Sequence, residues 1–292
     1  MVLKYEVIDN KYFNIKEILK SYFQISDRLL TKLKNNRRIF LNNSLSYVNN
    51  SVSVGDIITV NINFEEIADN IIPVKINLDI LYEDDYLLIV NKPANITVHP
   101  TMYHYSDSLS NGIKFYFDSI GLKRKIRPVN RLDKDTTGIV LFAKNEYIQE
   151  CLVRQMKTSD FVKEYIAVLD GHLENSTGTI NAGISRKSNS IIEREINPNG
   201  DSAITHYEVI KHYNNFTIVK FILDTGRTHQ IRVHSKHIGY PIVGDTLYGK
   251  SSDLINRQAL HSNKVSFIHP ISKEKISIES HLPEDIKNMG CQ

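Results

Sequence analysis

The 292-residue chain is predicted to be an α+β protein, in which a small α/β module precedes a larger domain with a mixed, largely antiparallel sheet flanked by helices. Two observations predict this class. Near the N-terminus, apolar spacing indicates helix, helix, strand, turn and strand within about fifty residues. Beyond residue 80, long strand-like runs follow one another with few full helices between them, whereas a doubly wound parallel sheet needs a helix at each crossover.

The first module is assigned to residues 1–64. Residues 13–32 carry apolar side chains at helical spacing, and Ser26 is a plausible N-cap for the second of two helices. Residues 37–43 predict a strand that enters a turn, and residues 54–62 predict a turn followed by a strand.

Residues 65–79 contain Pro73 and lose clear periodicity, which predicts a linker. The second domain, residues 80–292, then opens on two strand-like runs joined by an acidic turn. A helix is predicted at 145–157. Strands are predicted at 80–82, 86–93, 139–143, 161–169, 203–209, 216–223 and 264–268.

Composition excludes some classes of protein. With 41% hydrophobic and 24% charged residues, the chain can bury a core and is not predicted to be disordered. Cys151 and Cys291 form neither a zinc spacing nor a disulfide framework, so a reducing cytoplasm is predicted. No signal peptide or long apolar run is evident, so no membrane partner is expected. The 11 histidines show no metal-like arrangement, and no metal ion is expected.

Basic residues are concentrated near the N-terminus. Residues 1–64 hold nine basic and five acidic side chains, a surplus of four, whereas the whole chain has a net charge of only +3. A solvated helix face is one interpretation. Contact with nucleic-acid phosphates is favoured, because five cations cluster beside a predicted tight turn. These are Arg28, Lys32, Lys34, Arg37 and Arg38.

The most informative segment is residues 127–144. Arg131-Leu132-Asp133 precedes a polar loop, Gly138 and an apolar run of strand length. An acid at the mouth of a buried strand is costly unless it is partnered or used, so Asp133 is a candidate catalytic carboxylate. The alternative is that Asp133 caps a turn or pairs with Arg131. Asp135 could suggest paired-carboxylate chemistry, but its loop and the neighbouring Lys134 favour a solvated side chain.

Residues 130–144 resemble the catalytic signature of the RluA-type pseudouridine synthases, in which the Asp of Arg-Leu-Asp is catalytic. The chain has Asn130 where that family usually has His. Residues 90–100, 163–165, 226–245 and 257–261 are similar to further motifs of the family. The N-terminal module resembles the S4 RNA-binding domain in its basic helix and in segments 37–43 and 52–60.

This resemblance implies a cofactor-free enzyme that isomerises uridine to pseudouridine in RNA, with large-subunit ribosomal RNA favoured as substrate. Such a reaction requires a pocket for a flipped nucleotide. Asp133 would act as a nucleophile or base, and Arg232 would supply a cation beside it. The alternation of Arg232 with Ile231 and Val233 predicts a strand that lines a cleft.

The resemblance also implies further roles in the site. Tyr165 would stack on the uracil and is a candidate acceptor of the C5 proton. Arg131 would fill the gap left by the flipped base or hold a phosphate, unless it is a structural partner of Asp133. Arg227 and His229 are assigned to RNA binding.

Three alternatives remain open from the sequence. The protein could be a non-catalytic RNA-binding or ribosome-assembly factor on the same fold, or a glycoside or nucleoside hydrolase that uses Asp133 and Asp135. The substrate could also be transfer RNA. No obligatory protein partner is predicted.

Overall fold

The computed structural model describes residues 1–66 and 70–289, and the N-terminal module is its first unit. Within the described residues, four antiparallel strands form a sheet in the order β1-β4-β2-β3. The elements are β1 (Val2–Glu6), α1 (Ile15–Glu17), a π-helical turn (Ile18–Tyr22), α2 (Asp27–Asn35), β2 (Ile39–Leu41), β3 (Ser44–Leu45) and β4 (Ile57–Asn61).

Local signals explain most of this module. The Ser26 hydroxyl accepts a hydrogen bond from the Leu29 backbone N–H at 3.2 Å, so the predicted N-cap of α2 is confirmed. Asn42 and Asn43, with φ of 50° and 66°, make the turn between β2 and β3. Strand β1 was not predicted, because its partner β4 lies more than fifty residues further along the chain.

The second domain contains the larger sheet. Its elements are β5 (Asp79–Glu83), β6 (Leu87–Lys92), α3 (Leu109–Ser119), β7 (Thr137–Ala143), α4 (Glu146–Gln155), β8 (Val162–Asp170), β9 (Thr177–Asn181), β10 (Ile184–Arg186), β11 (Arg194–Ile196), β12 (Ile204–His212), β13 (Phe216–Leu223), α5 (Gln230–His237), β14 (Leu260–Ile268), β15 (Lys275–Glu279) and α6 (Glu284–Met289).

In the described chain, nine of these strands form one sheet in the order β5-β6-β7-β14-β8-β13-β12-β9, with β15 paired to β14. Among the described strand pairs only β7 with β14 is parallel, while strands β10 and β11 form a separate hairpin. The predicted fold class is therefore confirmed.

Gly138 permits the parallel contact between β7 and β14. Its φ is +109°, and a Cβ atom there would lie 2.2 Å from the Ser262 carbonyl oxygen. No side chain fits at that distance, so glycine is required where the two strands meet. This contact places the turn that precedes β7 beside β14 and β8.

Asn130 anchors the approach to that turn. Its buried amide nitrogen donates to the Ile139 carbonyl at 3.0 Å, and its amide oxygen accepts from the Leu141 N–H at 2.8 Å. The residue that departs from the family pattern therefore satisfies the backbone of β7 and ties the Arg131-Leu132-Asp133 segment to it.

The N-terminal module packs directly against the second domain. Buried Leu29 and Ile58 belong to the same hydrophobic cluster as Ile139 and Leu141. Glu66, in the predicted linker, accepts hydrogen bonds from Lys32 at 2.8 Å and from both terminal nitrogens of Arg127 at 2.7 Å. Burial opposes ionisation of Glu66, but these cations lower its pKa to about 2. The two units thus share a core and a buried charge cluster.

Two further sequence features can be placed. None of the helices in residues 1–66 and 70–289 is long and apolar enough to cross a membrane. Cys151 is a half-buried free thiol whose pKa is raised by burial. Cys291 lies outside the described residues.

Candidate active site

Asp133 lies in the turn that precedes β7, and its side chain contacts Arg232, although 99 positions separate the two residues in the chain. Both side chains line a cleft in the second domain. Oδ2 of Asp133 accepts a hydrogen bond from Nη1 of Arg232 at 3.0 Å. The other two guanidinium nitrogens donate to Asp245, Nε to Oδ2 at 2.7 Å and Nη2 to Oδ1 at 2.8 Å. The bidentate pair with Asp245 fixes the plane of the guanidinium and leaves one nitrogen aimed at Asp133.

The burial of these three groups differs. The Asp245 side chain is fully buried and that of Arg232 is 9% exposed, whereas 26% of the Asp133 side chain remains open to the cleft. Burial alone would lower the pKa of Arg232, but the hydrogen bonds and charges of Asp245 and Asp133 raise it overall. The guanidinium stays positive and faces a carboxylate that a substrate can reach.

The prediction that Arg232 lies on a strand is wrong, because Arg232 is in helix α5. Residues Gln230–Ser235 are all buried and only Lys236 and His237 at the end of α5 are exposed, so the segment around Arg232 lacks the alternation of buried and exposed faces that reveals a helical period. Over three residues, alternation cannot distinguish a strand from a helix that is buried on every side. The Gln230 amide oxygen accepts from the Arg227 backbone N–H at 2.9 Å and secures the turn before α5.

Tyr165 lines the same cleft from strand β8. It is 7% exposed and pairs across the sheet with Ser262 of β14. Burial, helped by the charge of Asp133, raises the pKa of Tyr165 to about 12, although a hydrogen bond with Ser262 opposes the shift. The hydroxyl group is therefore protonated at neutral pH.

His229 completes the surroundings of Asp133. Its Nε2 lies 3.7 Å from Oδ2 of Asp133, and its Nδ1 lies 2.8 Å from the Tyr248 hydroxyl. Burial lowers the pKa of His229 despite the nearby carboxylate, so the imidazole is neutral at neutral pH. His229 has a left-handed backbone, with φ of 58°, and caps α5.

The cleft has room for a nucleotide. Asp133, Tyr165 and Arg232 line an inner recess, which adjoins a wider cavity of about 530 Å³. Arg131, Asp133, Tyr165, Arg227 and His229 border both spaces. A carboxylate, an arginine and an aromatic ring converge at the bottom of an open, basic cavity, as a site for a flipped base requires.

Comparison with known proteins identifies the family. The family model described as RNA pseudouridylate synthase matches residues 86–237, which include Asp133, Tyr165 and Arg232.

The chain belongs to the RNA pseudouridine synthases.

Individual relatives agree with this assignment. The chain is 38% identical to the uncharacterised RNA pseudouridine synthase YjbO of Bacillus subtilis, over 91% of this chain and 94% of that protein. It is 34% identical to ribosomal large subunit pseudouridine synthase D of Xylella fastidiosa, over 90% and 83%. The structure of human RNA pseudouridylate synthase domain containing 1 is similar with a TM-score of 0.59 and 27% identity, covering 70% of this chain and 83% of that one.

As an RNA pseudouridine synthase the protein is an isomerase that acts on uridine in RNA. Family membership favours this reading over both the passive RNA-binding factor and the hydrolase. The positions of the two carboxylates agree, since Asp135 does not line the cleft with Asp133. The Asp135 backbone carbonyl instead accepts a hydrogen bond from Arg257 at 3.1 Å.

Two arginines lie at the mouth of the synthase cleft. Arg131 is exposed, and among the described ion pairs Asp133 is joined to Arg232 and His229 rather than to Arg131. Arg227 donates from Nε to the Ser202 carbonyl at 3.0 Å. Both side chains line the cleft and the recess.

The five N-terminal cations do not join this site, and they fall into two groups. Lys32 pairs with Glu66 at 2.8 Å, and both Lys32 and Arg28 lie within 3.5 Å of Glu146. Lys32 is therefore enclosed against the larger domain, whereas Arg28 keeps 87% of its side chain exposed despite its contact with Glu146. Lys34 and Arg37 are also exposed and Arg38 is half-buried, so these three and Arg28 remain open to a partner.

Sequence reasoning did not assign roles to Asp245 or Lys92, which both support the synthase site. Asp245 is the last residue of the family-like segment 226–245, and this position in the motif could have indicated a role in the site. Lys92 is fully buried, and its Nζ donates to the carbonyls of Pro93, Ile96 and Lys134 at 2.8 to 2.9 Å. Burial lowers the pKa of Lys92 to about 7, and the three bonds hold the loop that follows Asp133.

Proposed function

We propose that this pseudouridine synthase modifies uridines of large-subunit ribosomal RNA, with Asp133 as the group that attacks or deprotonates the nucleotide. The observation that carries the role of Asp133 is its placement. It is the accessible carboxylate of a buried Asp245–Arg232–Asp133 chain, at the bottom of a nucleotide-sized cleft. Relatives named ribosomal large subunit pseudouridine synthase D, 34 to 36% identical to this chain, support the substrate.

The isomerisation breaks the N1–C1′ bond, turns the uracil and joins C5 to C1′. The C5 hydrogen leaves as a proton, N1 gains one, and no electrons are exchanged with another molecule. A redox cofactor is therefore unnecessary. In residues 1–66 and 70–289, no group of three or more His, Cys, Asp or Glu side chains could hold a metal ion. Independence from metal nevertheless stays a prediction.

Tyr165 is proposed to form the wall against which the uracil turns. Its ring can stack on the base without any ionisation. Because its pKa is about 12, Tyr165 could accept the C5 proton only by giving up its own hydroxyl proton in the same step. Arg232 is proposed to orient Asp133, because its plane is fixed by Asp245.

The N-terminal module is proposed to be an S4-type RNA-binding module. Support comes from its resemblance in sequence and from Lys34, Arg37 and Arg38, which stay open. The module lies outside residues 86–237, which the family model matches, so the family assignment does not depend on this proposal. A cytoplasmic location, predicted from the cysteine pattern, is part of the same proposal.

Two measurements test the function. Large-subunit ribosomal RNA labelled with tritium at uracil C5 should release label to water, and its digestion should yield pseudouridine without free uracil. Mapping pseudouridine in a strain that lacks the gene should show sites missing from that RNA. Sites missing from transfer RNA alone would contradict the ribosomal substrate, and free uracil that retains tritium would contradict isomerisation.

A further inference from the structure

Lys163 is a buried cation that faces the cleft without a protein partner. It lies on β8 two residues before Tyr165 and is 6% exposed. Across residues 1–66 and 70–289, its Nζ makes no hydrogen bond or ion pair with the protein, and Nζ is not among the fully buried polar atoms that lack a partner, so it keeps access to the cavity. Burial lowers the pKa of Lys163. An ammonium group that is partly removed from water and has no protein partner costs free energy, so its retention calls for a use.

Lys92 shows how a purely structural lysine is treated in this protein. Its side chain is fully buried, and three backbone carbonyls accept its three N–H groups. Lys163 has no such set of acceptors. The contrast indicates that the missing acceptor for Lys163 comes from a bound molecule.

The surroundings of Lys163 suit an anion. The turn that leads into α5 lines the same cavity through Gly226, Arg227 and Thr228. A Cβ atom at Gly226 would lie 3.4 Å from Nζ of Lys163, so the glycine leaves the ammonium uncovered on that side. The N-terminal end of α5 adds partial positive charge beside this turn.

We propose that Lys163 and the turn at residues 226–228 form a subsite for a backbone phosphate of the RNA strand. This rests on the proposed function, because the uridine of the same strand enters the recess beside Tyr165. The two side chains are about 7 Å apart along the strand, which is the scale of one nucleotide. A phosphate carries a full negative charge to offset the desolvated ammonium, whereas a base carbonyl carries only a partial charge.

The test compares Lys163→Met with Lys264→Met. Lys264 lies on the adjacent strand β14, is 37% exposed and stands 4.0 Å from Glu279, so its loss changes the net charge equally outside the cleft. The probe is a single-stranded oligouridylate RNA of about twelve nucleotides, titrated at several KCl concentrations.

Lys163→Met should weaken binding of this RNA by roughly tenfold. It should also reduce the slope of log affinity against log salt by about 0.7, the value for one phosphate contact on a single strand. The melting temperature of the RNA-free variant should rise, because an apolar side chain replaces an unpaired buried charge. Lys264→Met should change neither the RNA affinity nor the slope.

An unchanged slope for Lys163→Met would overturn the proposal, as would a lower melting temperature for the RNA-free forms of both Lys163→Met and Lys163→Gln, since a structural lysine gives that result. Lys163→Gln provides a second neutral variant if the methionine variant does not fold. Tritium release by the wild-type protein separates the two hypotheses. If the wild type releases tritium but the salt slope of Lys163→Met is unchanged, only the phosphate subsite is ruled out. If the slope is reduced but no tritium is released, the phosphate subsite stands and the proposed activity is ruled out.

Discussion

The catalytic cleft and the N-terminal module both depend on cations, but they hold them differently. In the cleft, Arg232 is buried, bonded through three nitrogens and fixed relative to Asp133. In the module, Lys34 and Arg37 extend into solvent. A buried ion pair costs about 3–5 kcal/mol to break, whereas an exposed one contributes about 0–1 kcal/mol. The cleft is thus built to fix one geometry, and the module is suited to attract a polyanion in many orientations.

The largest expected effect is that of Asp133→Asn. The amide is nearly isosteric but removes the charge, so turnover measured by tritium release should fall by at least about a thousandfold. Arg232 keeps its bidentate bonds to Asp245, so the melting temperature and RNA binding should change little. Activity within about tenfold of the wild type would remove Asp133 from the mechanism.

Tyr165→Phe examines the next group in the cleft. The ring is kept and the hydroxyl is lost, so RNA affinity should persist while turnover falls by about 10² or more, if the hydroxyl takes part in proton transfer. Single-turnover rates and a binding titration separate these quantities. Full activity in this variant would restrict Tyr165 to stacking.

Asp245→Asn tests how much the buried ion pair between Asp245 and Arg232 contributes to stability. The buried guanidinium of Arg232 would lose the negative charge of Asp245, its main partner. The free energy of unfolding should therefore fall by about 3–5 kcal/mol in a denaturant titration. Asp253→Asn is the matched control, because Asp253 is exposed. Equal stability of the two variants would contradict the proposed rigidity of the cleft.

Glu66→Gln tests the charge cluster between the two regions. The folded-state pKa of Glu66 is about 2, below the ordinary value of 4.5. Its contribution, roughly 3 kcal/mol at most, is therefore present above about pH 4.5 and is lost as the pH falls towards 2. Urea titrations should show a stability gap between wild type and variant at pH 6 that narrows through this window. A gap that stays constant with pH would assign the effect to packing.

The smallest effect is expected from the exposed cations of the module. Lys34→Gln combined with Arg37→Gln should weaken RNA binding several-fold and reduce the salt slope by up to about 1.4, with little change in stability. Lys32→Gln should instead lower the stability and leave RNA binding and the salt slope nearly unchanged, since Lys32 is paired with Glu66. Point variants are preferable to deletion of residues 1–64, because deletion would uncover Ile139 and Leu141 of the shared core. An unchanged slope in the double variant would assign the module another role.

The sequence by itself determined the elements whose signals are local. The Ser26 cap, the helix at α4 and the runs that became β7, β8 and β13 follow from capping chemistry and from periodicity over neighbouring residues. The motif around Asp133 could also be recognised from the sequence, because a charged turn before an apolar strand is a pattern of neighbouring residues.

Only the tertiary structure decided which groups meet. Asp133 and Arg232 are brought together across 99 positions, and β1 pairs with β4 across the whole N-terminal module. The first six residues of the helix that carries Arg232 are all buried, so tertiary packing rather than periodicity defines this segment. Lys92 and Lys163 are the same residue type, and only their surroundings show that three carbonyls hold one while the other faces the cleft. Burial and partners are properties of the folded neighbourhood, because desolvation and ion pairing act through space rather than along the chain.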